Sequence, residues 1–261
     1  MPQLVHSETI DGVATVRLDR PPFNAFDTEL RVELGDVVRS LADNATVRAV
    51  VLTGGPKAFA AGADLKQLAA MDYEQISVWN HALQRVFNDV AALPVPVIAA
   101  VNGVALGGGM ELALAADFRV LAEDASLALP EVQLGIVPGA GGMQRLRRLV
   151  GIGKAKDILM SGRRLEAEEA HAIGLAGHVV PASAVLTHAQ RLAAEYAAGP
   201  RFALQAIKEA VELGADSPLA SGLAMDKNML AGLFATRDRR VGIESFFAQG
   251  LGKARFGLAA E

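Results

Sequence analysis

Two glutamates carry the chemistry this sequence points to. Glu111 stands in Gly107-Gly108-Gly109-Met110-Glu111, and Glu131 follows Pro130 ahead of Val132-Gln133-Leu134-Gly135. Two carboxyl groups in different surroundings can divide general-acid and general-base work, one protonated and one ionised at the same pH. Three glycine-bearing segments surround the pair: Phe59 through Leu65, Asn102 through Leu112, and Pro130 through Gly142. The triple glycine precedes Glu111-Leu112-Ala113-Leu114-Ala115-Ala116, a strong helix former. It therefore sits at a helix start, where the first amides lack partners within the helix and the dipole is positive. Glycine leaves those amides open to a ligand atom, so the turn suits a developing oxyanion. Glu111, about one helical turn beyond Gly108, reaches the space beside them. Ala60-Ala61-Gly62-Ala63 offers similarly open backbone. Glu131 has a raised pKa if its apolar, glycine-rich surroundings bury it. Each feature alone has a plainer reading. The glycines make a packing turn, Glu111 faces the helix dipole, Asp64 is an N-cap and Glu131 is an exposed loop acid.

Composition removes other chemistries. The chain has 261 residues and no cysteine, which excludes disulfides, thiolate nucleophiles and Cys-based metal centres. His6, His81, His171, His178 and His188 show no ligand spacing, and H-E-x-x-H is absent, so no metal site is expected. No G-x-G-x-x-G follows a strand, Gly153-Lys154 lacks the rest of a P-loop, and G-x-S-x-G does not occur. Lys+Arg is 25 against Asp+Glu 29, a net charge of −4 with no basic footprint for nucleic acid. The amino terminus has no basic and apolar leader, and no run of membrane-spanning length is present. The expectation is a cytoplasmic protein with no membrane partner.

The elements that must position the glutamates are legible in outline. Val5–Ile10 and Val13–Leu18 flank Asp11-Gly12 and predict a hairpin. Leu30, Leu34, Val37, Val38 and Leu41 predict a helix over Asp27–Leu41, with Asp27 or Thr28 as N-cap. Ala49–Leu52 and Val97–Val101 read as buried strands, with a helix over Tyr73–Leu93 between them. Further strands are expected at 117–122, 126–129 and 179–180. Further helices are expected at 154–160, 167–172, 183–198 and 200–213. Ser217 reads as an N-cap with Pro218 at the first helical position. Leu219, Leu223, Leu230 and Phe234, then Phe246 and Phe247, mark a helical tail too small for its own core. The fold class is α/β, divided as a core over 1–195 and a helical region over 196–261.

Together the three segments resemble the enoyl-CoA hydratase/isomerase, or crotonase, family. The resemblance runs from Leu18-Asp19-Arg20-Pro21 to Phe234-Ala235-Thr236, and its markers are Lys57 through Lys66, Asn102 through Glu111, and Pro130 through Leu146. It implies a repeated ββα core with a C-terminal helical region that assembles trimers or hexamers. It implies an acyl-CoA substrate, no separate cofactor, and an oxyanion hole from the backbone amides of Ala63 and Gly108. Glu111 then matches the group that activates water for C3, Glu131 the group that protonates C2, and Gly139 a backbone amide that helps hold the water. Backbone at Ala61, Ala63 and Leu65 matches the adenine site, and Lys57 and Lys66 match positions near the CoA phosphates. One departure is Pro22, where many relatives carry a basic residue. The implied activity is addition of water to a 2-enoyl-CoA, giving the 3-hydroxyacyl-CoA. The alternatives are isomerisation, hydrolysis, decarboxylation or hydration coupled to cleavage on an acyl-CoA, or a non-catalytic acyl-CoA-binding protein. RNA binding, found in a relative with a lysine-rich helix, fits poorly, because Asp27–Leu41 has only Arg31 and Arg39 beside Asp27, Glu29, Glu33 and Asp36.

Overall fold

The computed structural model describes residues 2–257. The hairpin of β1 (Val5–Ile10) and β2 (Val13–Leu18) opens the chain. Positive φ at Asp11 and Gly12 supplies the twist that a two-residue turn needs. Helix α1 (Thr28–Asp43) starts at Asp27, whose carboxylate accepts the Leu30 amide at 2.8 Å, and it buries Leu30, Leu34, Val38 and Leu41.

A strand, a second strand and a helix then recur three times. The first unit is β3 (Ala49–Thr53), β4 (Ala58–Ala60), and the helices α2 (Leu65–Ala69) and α3 (Tyr73–Ala91). The second is β5 (Val97–Val101), β6 (Val104–Leu106) and α4 (Gly108–Ala115). The third is β7 (Phe118–Ala122), β8 (Ser126–Ala128), a 3₁₀ turn (Pro130–Leu134) and α5 (Gly142–Val150). The chain continues through α6 (Ile152–Ser161), β9 (Leu165–Glu166), α7 (Ala167–Ala172) and β10 (His178–Val180), then α8 (Val185–Ala197), α9 (Arg201–Gly214), α10 (Leu219–Leu233) and α11 (Arg237–Gln249).

The first strand of each unit joins one sheet, in the order β1-β2-β3-β5-β7-β10, parallel from β2 onward. The second strand of each joins another, β4-β6-β8-β9, in which only β9 is antiparallel. β3 and β5 are buried along their whole length, as strands inside a parallel sheet with covered faces must be, and α8 packs on their sheet. This is the repeated ββα architecture with a helical C-terminal region. α9 is tied to the core by Lys208, whose Nζ lies 2.9 Å from Asp117 Oδ2, and α10 packs along α9. None of α9, α10 and α11 has a buried residue, and Leu219, Leu223, Leu230, Phe234, Phe246 and Phe247 are all exposed.

Several elements differ from the sequence reading. β4, β6 and β9 are two or three residues long, too short for a period of two to register. α5 begins on Gly141-Gly142, where the sequence reading places no helix. The stretch expected as one helix from 183 begins with a 3₁₀ turn, and α8 starts at Val185. Ser217 does not cap α10: its hydroxyl donates to the Leu213 carbonyl at the end of α9. Pro218 takes the N-cap position, one residue earlier in the helix frame than expected.

Candidate active site

The site forms where the N-terminus of α4 meets the loop after β4. Gly109 makes that approach possible, since a Cβ there would lie 2.0 Å from the Ala60 carbonyl oxygen. Gly107 adopts φ 48°, and a Cβ on it would lie 2.7 Å from Glu131 Oε1. Two backbone amides open at this junction. Phe26 pairs with the loop on either side of Ala63, donating to the Gly62 carbonyl at 2.7 Å and accepting from the Asp64 amide at 2.8 Å. That leaves the Ala63 N–H on the other side of the chain. The Gly108 N–H belongs to the first turn of α4 and has no intrahelical acceptor. Among the described residues neither amide donates to a protein acceptor. A Cβ built on Gly108 would lie 3.8 Å from the Ala63 nitrogen, so the two amides are neighbours.

The Ala63 loop is held from below. Asp64 Oδ1 accepts the Lys66 and Gln67 amides at 3.0 and 3.3 Å, capping α2, and Oδ2 takes Arg20 at 2.8 Å. Arg20 also reaches Asp27 at 2.8 Å, and its hydrogen bond holds the Asp64 carboxyl below the ordinary carboxylate range. Asp64 is therefore an N-cap and an ion-pair member.

Glu111 is 3% exposed, and its Oε1 accepts two backbone amides, Ala140 and Gly142, each at 2.8 Å. Gly142 is the first residue of α5, so the carboxylate also sits at a helix start. Burial pushes the Glu111 pKa up, while the two amides and Arg145 pull it back. Glu131, in the 3₁₀ turn, has only its own backbone amide to favour its charge. Burial pushes it to about 7, and the neighbouring Glu111 charge adds to that shift. Its Oε2 is buried and has no hydrogen-bond partner among the described residues. Both carboxyls sit above the ordinary range, and the two loop amides favour the ionised form of Glu111, whereas Glu131 is placed to keep its proton near neutrality.

Ala61, Ala63, Leu65, Gly108, Glu111, Glu131 and Gly139 all line one cavity of about 840 Å³. Lys57 and Lys66 are exposed and lie outside that lining. The Gly139 amide bonds to no protein acceptor among the described residues, whereas its carbonyl accepts Asn80 Nδ2 at 3.1 Å and Gln84 Nε2 at 3.2 Å. The apolar wall comes from α3, through Ile76, Trp79 and Leu83, and from Leu106, Leu134, Ile136 and Val137. Among the described residues no three His, Asp or Glu side chains are grouped to hold a metal ion, and no helix is long and apolar enough to cross a membrane.

Sequence reasoning missed four participants: the Ala140 and Gly142 amides, Asn80 and Gln84. The signal for the amides was present, because Gly141-Gly142 before a run of Arg and Leu is itself a helix start. Asn80 and Gln84 were visible only as polar residues four apart on α3, beside the apolar Ile76, Leu83 and Phe87.

The sequence matches the enoyl-CoA hydratase/isomerase family model over residues 8–254. YngF of Bacillus subtilis is 44% identical over 238 residues, covering 90% of this chain and 92% of that protein. The enoyl-CoA isomerase/hydratase fer4 of Mycosarcoma maydis is 38% identical over 253 residues, covering 92% of this chain and 91% of that protein. The crystal structure of an enoyl-CoA hydratase from Bacillus anthracis superposes with a TM-score of 0.92 at 41% identity, covering 95% of this chain and 97% of that one.

Proposed function

The chain belongs to the enoyl-CoA hydratase/isomerase family, and on that premise we propose that it adds water across the 2,3 double bond of an enoyl-CoA to give the 3-hydroxyacyl-CoA. The observation that carries this reading is the pair of unlike carboxyls in one cavity, Glu111 Oε1 held by the Ala140 and Gly142 amides and Glu131 Oε2 buried with no partner among the described residues.

Addition of water builds negative charge on the thioester oxygen. The Ala63 and Gly108 amides take that oxygen, each worth about 10²–10³ in rate. Glu111 removes a proton from the water while the water oxygen bonds to C3. Glu131 passes its own proton to C2. The substrate has then gained H and OH, Glu111 has gained a proton and Glu131 has lost one. Return of a proton from Glu111 to solvent and uptake by Glu131 reset the pair. The Gly139 amide, free of protein acceptors, helps hold the water. Lys57 and Lys66, both exposed beyond the cavity, meet the CoA phosphates, and backbone at Ala61, Ala63 and Leu65 meets the adenine. Both proton transfers have carboxylates, so no separate cofactor enters. The exposed apolar faces of the C-terminal helices are assigned to assembly as a trimer or hexamer, in the cytoplasm.

The test is turnover of short, long, branched and aromatic enoyl-CoAs by the wild type and by Glu111→Gln and Glu131→Gln, with product identification. Each variant should lose about 10²–10⁴ in kcat with little change in substrate Kd. Double-bond isomerisation, which the name of the fer4 relative includes, needs only one carboxyl. If Glu131→Gln abolishes turnover while Glu111→Gln keeps most of it, isomerisation replaces hydration. A wild type that binds every acyl-CoA and turns over none is a binding protein.

A further inference from the structure

Asn80 and Gln84 stand one turn apart on α3, and both side-chain amides donate to the Gly139 carbonyl oxygen, at 3.1 and 3.2 Å. That carbonyl shares a peptide group with the Ala140 N–H, which donates to Glu111 Oε1 at 2.8 Å. In a trans peptide the C=O and N–H point in opposite directions. Two donors therefore lie on one side of the peptide and the carboxylate on the other. Donors on a carbonyl polarise its peptide and strengthen the N–H as a donor. The other amide that holds Glu111, Gly142 N–H, shows the same arrangement. Its partner carbonyl, Gly141 O, accepts the Gln144 and Arg145 amides at 3.1 and 2.9 Å. For Gly142 the two donors are helix backbone. For Ala140 they are two side chains, reaching across 59 and 55 residues of sequence. The approach is close: a Cβ on Gly139 would lie 2.5 Å from Asn80 Oδ1.

We propose that Asn80 and Gln84 are positioning residues that keep Glu111 ionised, by bonding the far side of the peptide that binds it. The proposal rests on the reading of Glu111 as the proton acceptor. The other groups facing Glu111 leave this task open. α5 offers Arg145, whose guanidinium is also spent on the Ala140 carbonyl at 3.1 Å and on Asn88 at 2.7 Å. The 3₁₀ turn brings Glu131, a like charge when ionised. β4 and β6 contain no ionisable residue. α3 keeps Glu74, His81 and Arg85 exposed, and half-buried Asp89 lies about 140° round the helix from Gln84.

The experiment compares wild type, Gln84→Met, which removes a donor at constant length, and the double variant Asn80→Ala/Gln84→Met. The acidic limb of kcat against pH should move up by about half a pH unit in the single and about one in the double, with KM little changed. A purely structural role would lower kcat at every pH alike and leave the limb in place, which overturns the proposal. The second readout needs no substrate. The protonated carboxyl stretch of Glu111, identified by its disappearance in Glu111→Gln, is titrated by difference infrared spectroscopy. It should titrate at higher pH in both variants, and an unmoved titration overturns the proposal. If Glu111→Gln keeps wild-type turnover, the hydration reading falls, and the infrared titration still decides the clamp. Should Gln84→Met not fold, Gln84→Asn withdraws the same donor by one methylene and is read in the same two ways.

Discussion

Replacing Glu131 by Gln should stabilise the fold in alkaline solution and leave it nearly unchanged at pH 5. An ordinary glutamate titrates near 4.5, whereas burial raises Glu131 to about 7 in the folded chain. Between those values the folded state binds more protons than the unfolded state, so stability falls as pH rises from about 4.5 to 7 and is level above that. At 1.36 kcal/mol per pH unit, the whole interval is about 3.4 kcal/mol. Glu131 is only half-buried, and solvent screening brings this to about 1–2 kcal/mol. Gln at this position has no proton to lose, so the variant escapes the penalty. Glu111 loses its charged neighbour at the same time, which acts in the same direction. In a chain of this size about 1–2 kcal/mol corresponds to a Tm roughly 2–6 °C higher. The assay is thermal unfolding of both proteins at pH 5 and pH 9, reading the change in their difference. A difference that is the same at both pH values would mean that Glu131 ionises in the fold without penalty. The physical reason for assigning it the proton would then be gone.

Three other outcomes follow from the same geometry. Gly109→Ala places a Cβ 2.0 Å from the Ala60 carbonyl oxygen, where only backbone can give way, so it should destabilise the fold by about 2–3 kcal/mol and cut turnover together with it. A wild-type urea midpoint would contradict that packing. Sedimentation should find a trimer or hexamer, because among the described residues the apolar side chains of α10 and α11 stay exposed, and a stable monomer at micromolar concentration would refute the assignment. Turnover should survive exhaustive chelation; loss with EDTA and restoration by one divalent ion would overturn the cofactor-free reading.

The fold was legible wherever periodicity acts over a full element. α1 was readable from Leu30, Leu34, Val38 and Leu41 together with its Asp27 cap, and β3 and β5 from unbroken apolar runs. Of the second sheet only Ser126–Ala128 was legible, because Ala58–Ala60, Val104–Leu106 and Leu165–Glu166 are stubs whose strand character comes from pairing. The glycine clusters showed where backbone must come close to something. They could not show what, since Gly109 is small for Ala60 and Gly107 for Glu131, and both contacts exist only in the folded chain.

The chemical difference between the two glutamates was the least legible feature, and the proposed division of labour between them rests on it. Both are the same side chain in apolar, glycine-rich sequence. Glu111 is the more deeply buried of the two, at 3% exposed, so burial alone would make it the more reluctant to ionise. Backbone works against that reluctance. Two amides, from a loop 29 and 31 residues away, converge on Glu111 Oε1, while Glu131 Oε2 meets none. The proposed assignment of base and acid therefore depends on the chain path between Pro138 and Gly142 and on what holds that path. The N-terminus of α5 grips one peptide of it, and Asn80 and Gln84 grip the other. Substitutions on α3 that touch neither glutamate should accordingly raise the pH at which Glu111 takes up its proton.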